Sequence, residues 1–520
     1  MRRLARDILL MALATGVSRL LGLARMGAIA NRFGASAAYD AFLIAFFLPN
    51  LLRGLLAEGA LSTAFVPIYT GLHVRPDGGS RERPADAFAG NLLSWLLVLF
   101  PITVALGVLT APLYVPFLAS GFGTEKLSLA ISLTQWIFPF VALMGFAAIF
   151  MGILNAHRRF FAASFAPVWF NVGMLVGVLG LAHAFPDAPI YGLAAGVLLG
   201  GAGQLASQIP ALRRVGFRFH LHLFPVAPAI RTLARRMAPA VLALAVTQVN
   251  LLVDNKIASY LPDGGISALQ YAMRLFQLPL GMFAVSIGTA LLPRLSSAHT
   301  RSDDASFSRD LGDGLTLSGL VLLPAMAGLL ILGTDVVRLL FEHGSFGPAE
   351  TARTAGPLLA YTIGLLPYGL VFVLTRASHA LGRTVVPVLA SILAVGVNVG
   401  LDLALVGPLQ ETGLALATAT AGWVSAGLLV LFLRRQVAWD RAFGRHTLPI
   451  LGGTLLMAAI VFGLRALLGS AHAALVVFVP TGCGVAVLAG ITRLTSLWGL
   501  VRGFGGAERG SRSDGESAST

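Results

Sequence analysis

The sequence is poor in the groups that carry out covalent chemistry. Cys483 is its only cysteine, which excludes an intrachain disulfide and a CxxC metal site. Only 12% of the residues are charged, about half the share of a soluble domain. No HExxH, GxSxG, Walker A or DxD-like cluster occurs. The longest expected loop, around residues 213–230, holds no carboxylate, which argues against a membrane glycosyltransferase with an acidic site outside the bilayer. The histidines are scattered, and His157, His299 and His379 read as interfacial residues rather than metal ligands. We therefore expect a protein that is not an enzyme. Without a nucleotide site, its work must be driven by an ion gradient or the membrane potential.

Apolar residues are abundant. They make up 56% of the chain of 520 residues, and the mean hydropathy is +0.82. A chain of this length cannot hide that much apolar surface from water by folding on itself, so a bilayer is its solvent. The net charge of +14 does not indicate nucleic acid, because the basic residues flank apolar runs and no RNP-like, zinc-finger or helix-turn-helix signal is present. Met1-Arg2-Arg3-Leu4-Ala5-Arg6 begins like a signal peptide, but the apolar run continues past Arg19 to Ile29. It reads as a first membrane helix. Cys483, in an apolar run, reads as a small packing residue.

About fourteen stretches are long enough to cross roughly 30 Å of hydrocarbon. They fall at 8–33, 38–70, 87–111, 127–154, 160–182, 190–212, 230–259, 266–293, 308–335, 351–376, 384–407, 411–433, 446–467 and 472–496. With the N-terminus inside, the inner segments carry 27 cations, and the outer loops carry only Lys126, Arg338 and Arg353. This bias predicts that both termini are cytoplasmic. The polar, Gly/Ser-rich segment from about residue 503 predicts a disordered tail.

Two parts of the chain echo each other. DAFLIAFFLPNLLRGLLAEGALSTAFVP (40–67) aligns with QYAMRLFQLPLGMFAVSIGTALLP (270–293), pairing Pro49 with Pro279 and Pro67 with Pro293. A weaker echo joins FMGILNAHRRFFAASFAP, ending at Pro167, to VLTRASHALGRTVVP, ending at Pro387. Both echoes sit on even-numbered spans, so the repeat is parallel. The expected fold is an all-α polytopic membrane protein with two pseudo-symmetric six-helix lobes around a central cavity, plus two C-terminal helices. In residues, this is an N-lobe over 1–222, a C-lobe over 223–440, spans thirteen and fourteen over 441–500, and a tail over 501–520.

Charges inside spans are costly and usually face protein or a wet cavity. The first span carries Arg19, Arg25 and Arg32; the second carries Asp40, Arg53 and Glu58. The eighth carries Gln270, Arg274 and Gln277 on one face. Arginine binds phosphate in a bidentate manner, so a cavity lined by arginines suits a phosphate or pyrophosphate headgroup. For Arg32 and Arg53, snorkelling or pairing with Asp40 or Glu58 is the competing reading. A second, acidic and polar set comprises Thr247, Asn250 and Asp254 on the seventh span, Ser391, Asn398 and Asp402 on the eleventh, and Thr412, Thr418 and Ser425 on the twelfth. It suits a sodium site, proton coupling through Asp254 or Asp402, or a polar stripe that joins helices.

Four motifs carry a family resemblance. SRLLGLAR (18–25) resembles the SRxLGxxR opening of the MurJ (MviN) lipid II flippase family. The segment 40–67 is similar to that family's DAFxxAFxxPNxxRxxxAEGAxxxAFVP, YAMRLFQLPLGMFAVSIGTALLPRLS to its eighth-helix signature, and FEHGSF (341–346) to its FExGxF loop. The resemblance covers about residues 8–496. It implies a multidrug/oligosaccharidyl-lipid/polysaccharide exporter fold, with the last two helices forming a hydrophobic groove. It also implies that Arg19, Arg25, Arg53 and Arg274 are cavity arginines, that Asp40 and Glu58 are substrate-site acids, and that Asp254, Asn398, Asp402 and Thr418 hold sodium. Met26 stands where many members carry an acid and Gln277 where some do, which leaves the cavity more positive. The implied function is flipping of lipid II to the outer leaflet of the bacterial inner membrane by alternating access, by a monomer among membrane lipids and without nucleic acid. The alternative is export of another polyprenyl-pyrophosphate-linked oligosaccharide.

Overall fold

The structure, a computed structural model, describes residues 2–54, 61–73, 84–225, 227–434, 437, 442–469, 472–494 and 497. Side chains are described except at 2–12, 61–63, 239–247, 249 and 442–445. Glu58 and the expected tail at 501–520 lie outside the described residues. The described chain is helical and holds no strand.

The helices, in chain order, are α1 (Arg2–Phe33), α2 (Ala37–Arg53), α3 (Leu61–His73), α4 (Pro84–Leu118), α5 (Thr124–Ile137), α6 (Phe140–Ala156), α7 (Phe160–Leu179), α8 (Ile190–Arg214) and α9 (Pro228–Ala258). They continue with α10 (Gly265–Pro279), α11 (Val285–Thr300), α12 (Asp304–Phe341), α13 (Pro348–Ile363), α14 (Leu365–Ala380), α15 (Val385–Leu433), α16 (Ala442–Leu467) and α17 (Ala473–Leu494). The helices coincide with the expected spans. Among the described residues nine stretches are long and apolar enough to cross a membrane, or ten if the bent pair α13–α14 counts as one span. The fourteen expected crossings exceed that number, because α1, α2 and α9 carry charge or lie beside undescribed segments and because α15 holds two expected spans but counts once.

Proline explains several breaks. Pro279 ends α10 and is followed by a π-helical turn at Leu280–Ala284 before α11, where the missing N–H of proline interrupts the ladder. The single long helix α15 has non-helical backbone at Gln410 (φ 49°), between the expected eleventh and twelfth spans.

The chain forms two compact units. The first runs to Ser267 and includes the short segment His343–Phe346; the second comprises the rest from Ala268 onward. In the first unit α7 packs along α8 and α1, α2 along α5, and α6 along α8 and α3. Helix α9, the first of the expected C-lobe, packs on α3 and α4 of this unit. The α7–α8 contact depends on glycine. A Cβ at Gly173 would come 2.2 Å from the backbone nitrogen of Gly200, so only a bare backbone permits the approach. In the second unit α12 packs against α11, α13, α14, α16 and α17, and α15 packs on α13 and α14. Many large apolar side chains on α4, α15, α16 and α17 face outward, as lipid allows. Cys483 is also exposed, contrary to its reading as a packing residue, because its face of α17 has no helix against it.

The weaker sequence echo has a backbone counterpart. After α6, Arg158 adopts a left-handed conformation, its N–H donates to Asn155 O, and that of Arg159 donates to Leu154 O. After α14, Gly382 is left-handed, its N–H donates to His379 O, and that of Arg383 donates to Ser378 O. Both are Schellman caps. The same cap closes α8 at Gly216 and α11 at Ser302.

Candidate substrate and ion sites

Arg19 and Arg25 lie on the first unit's α1. Arg19 is exposed and Arg25 is half-buried. The Arg25 side chain rests on α7: Nη1 is 3.4 Å from Met174 Sδ, and the guanidinium carbon is 5.7 Å from the centre of the Phe170 ring. Cation–π contact of this kind holds a guanidinium in place without neutralising it. One turn away, Asn171 donates to the carbonyl and hydroxyl oxygens of Ser18, tying α7 to the SRLLGLAR motif. On α2, the half-buried Arg53 donates from Nε to Asn50 Oδ1 of its own helix at 2.9 Å. Arg32 is exposed at the end of α1. FEHGSF docks here, where the Ser345 N–H donates to Asn31 O at 2.8 Å and the Ser345 hydroxyl to Arg32 O.

Asp40 is fully buried, and both of its oxygens are occupied. Oδ1 accepts from the N–H (2.8 Å) and hydroxyl (2.6 Å) of Ser267; Oδ2 accepts from the Gly264 N–H (2.7 Å) and Lys126 Nζ (2.8 Å). Lys126 also meets Asp263 at 2.8 Å. This carboxylate therefore ties α2 to α5 and to the turn before α10. The sequence marks Lys126 only as an outer-loop cation, and it does not single out Asp263 or Ser267. An acid and a lysine placed on the same side of the expected topology were the available signal.

The other two cations of the sparsely charged side are paired as well. In the second unit Arg353 of α13 bonds to the buried Glu411, and Arg338 lies 3.5 Å from both Asp335 and Glu342. Arg465 of α16 reaches the same Asp335 at 2.5 Å, joining α16 to α12. Arg465, a cation that the hydropathy pattern leaves inside a span, is thus matched by a carboxylate on a neighbouring helix.

Arg274, with Gln277 beside it, is exposed on α10 of the second unit. The expected sodium set is divided by unit. Asp254, on α9 of the first, accepts from Asn250 Nδ2 at 3.1 Å. Asn398 and Asp402, one turn apart on α15 of the second, are both buried, whereas Ser391 is exposed. The Thr418 hydroxyl donates to Leu414 O, and its carbonyl accepts from Tyr368 OH at 3.3 Å. The side chain of Thr247 lies outside the described residues.

The family model described as "Lipid II flippase MurJ" matches residues 29–481. A probable lipid II flippase MurJ from Vibrio cholerae is 33% identical over 452 residues, covering 84% of this chain and 86% of its own length. The lipid II flippase MurJ of Burkholderia cenocepacia is 32% identical over 469 residues, covering 88% and 89%. A solved lipid II flippase MurJ in an inward closed conformation superposes with a TM-score of 0.79 at 27% identity, covering 94% of this chain and 98% of its own. A multidrug resistance MATE family transporter of the MOP superfamily shares the fold at a TM-score of 0.67 and 16% identity, over 83% of this chain and 96% of its own. With the motif-bearing helices α1, α2 and α10, their arginines, and a match over most of the chain, this multi-span membrane protein is a member of the MurJ lipid II flippase family.

Proposed function

We propose that the chain moves lipid II from the cytoplasmic to the outer leaflet of the bacterial inner membrane by alternating access, with both termini cytoplasmic. The family match across residues 29–481, which includes the arginine-bearing segments of α2 and α10, carries this reading; Arg19 and Arg25 lie on α1 just before the matched stretch. Arg19, Arg25, Arg53 and Arg274 are the groups for the pyrophosphate. A charge-assisted hydrogen bond from such a guanidinium contributes about 1.5–3 kcal/mol. Arg25 suits the role because Phe170 and Met174 orient it. Asp40 acts as a positioning residue, because its oxygens are already taken by protein donors. The polyprenyl tail stays in lipid, and the outward apolar faces of α16 and α17 are suited to guide it.

Transfer of charge across the membrane field is worth about 2.3 kcal/mol per unit charge per 100 mV, enough to drive one step. The carboxylate, amide and hydroxyl oxygens of Asp254 in the first unit, and of Asn398, Asp402 and Thr418 in the second, are of the kind that would suit a sodium ion.

The test is complementation. A bacterial host depleted of its own flippase should regain growth and outer-leaflet lipid II when it expresses this chain. Arg25→Ala or Arg274→Ala should abolish both at normal protein level. Normal growth of both variants would overturn the assignment of the arginines. Failure of the well-expressed wild-type chain would overturn lipid II as the cargo.

A further inference from the structure

The first unit holds a pocket of about 830 Å³ among α1, α3, α6 and α7, separate from the arginines discussed above. Thr15, Thr70, Asn155, Arg158, Phe160 and Ser164 line it, and the rest of its wall is apolar. Its size falls in the range of small-molecule and headgroup sites. The side chains of Thr70, Asn155, Arg158 and Ser164 have no hydrogen-bond partner among the described residues, and none of the described lining residues is a carboxylate.

Arg158 is exposed, but its backbone is fixed. It occupies the left-handed position of the Schellman cap after α6 (φ 57°), where α8 and α14 use Gly216 and Gly382. A side chain at this position costs about 1–2 kcal/mol relative to glycine. The loop is fixed from both sides, by the Arg159 N–H on Leu154 O and by His157 Nε2 at 3.2 Å from the buried Tyr69 hydroxyl, itself bonded to Asp86. Backbone strain at a rigid loop whose arginine lines a pocket is the pattern of a ligand clamp. The loop joins two stretches long and apolar enough to cross a membrane, Thr124–Ala156 and Phe160–Leu179, so Arg158 sits at the boundary between hydrocarbon and water.

We propose that this pocket binds the phosphate-bearing headgroup of a lipid. Arg158 takes the phosphate, and the Thr70 and Ser164 hydroxyls and the Asn155 amide bond the remaining headgroup oxygens. The apolar wall, including Phe160, receives the first carbons of the chains. Two lipids present this chemistry at such a depth, an anionic phospholipid and a polyprenyl pyrophosphate.

The test uses the full-length protein in nanodiscs, with native mass spectrometry reading retained phosphatidylglycerol and, separately, undecaprenyl pyrophosphate. Arg158→Gly relieves the backbone while removing the guanidinium, so it should fold at least as well as wild type and retain at least tenfold less of one lipid. Ser164→Leu, which fills the pocket without touching the cap, should do the same. Loss of phosphatidylglycerol assigns the pocket to bulk phospholipid; loss of undecaprenyl pyrophosphate alone assigns it to the cargo chemistry; either supports the site. Equal retention of both lipids by wild type and both folded variants overturns it.

Discussion

Lys126 Nζ lies 2.8 Å from Asp40 Oδ2, linking the family's most recognisable helix to the start of α5. Asp40 is fully buried and accepts four hydrogen bonds in all, so the pair acts as a structural lock. Removing one member of a buried pair leaves the other charge without compensation and costs about 3–5 kcal/mol. Asp40→Ala should therefore lower the thermal midpoint of the purified protein sharply. Asp40→Asn, which keeps an acceptor, should lower it less, and Lys126→Met in that background should recover part of the loss. Unchanged melting of Asp40→Ala with loss of flipping would instead make Asp40 a substrate contact.

Asp402 and Asn398 are buried one turn apart on α15. If they bind sodium, flipping by the wild-type chain should depend on the sodium concentration, and Asp402→Asn should abolish that dependence while leaving protein level intact. Sodium-independent transport in wild type that is nonetheless lost in Asp402→Asn would point to proton coupling.

Helices α7 and α8 approach so closely that a methyl group at Gly173 would collide with the backbone of Gly200. Overpacking of this kind costs about 1–3 kcal/mol. Gly173→Ala should lower thermal stability measurably. Gly16→Ala, which meets nothing within 4 Å, should leave it unchanged or slightly raised. Equal melting of the two variants would show that α7 and α8 are not in this register.

Asp303 caps α12. Its carboxyl is held below the usual range first by the Ser306 hydroxyl and then by the Ser306 N–H, which donates at 2.9 Å. The folded value lies below the unfolded one, so the cap stabilises the helix above the ordinary carboxylate range. That contribution is lost as pH falls through the folded value. Amide exchange in the first turn of α12 should speed up on acidification relative to the helix interior. Asp303→Ala should show the faster rate at neutral pH and no pH dependence of this kind.

Apolar run length and the asymmetric placement of arginine were legible in the sequence because bilayer thickness and the cost of moving cations act on composition alone. The family was legible in SRLLGLAR, the 40–67 segment and FEHGSF. The parallel repeat was read from its prolines; the caps at Arg158 and Gly382 do not single it out, because α8 and α11 end in the same way at Gly216 and Ser302. Three-dimensional packing decided what periodicity does not encode: that Asp40 meets Lys126 and Ser267, that Arg465 finds Asp335 across 130 positions, that Arg25 lies on Phe170, and that Arg158 lines a pocket. The reason is physical. A span records whether a residue can live in lipid, and a carboxylate's partner depends on which helix faces it after the chain has packed.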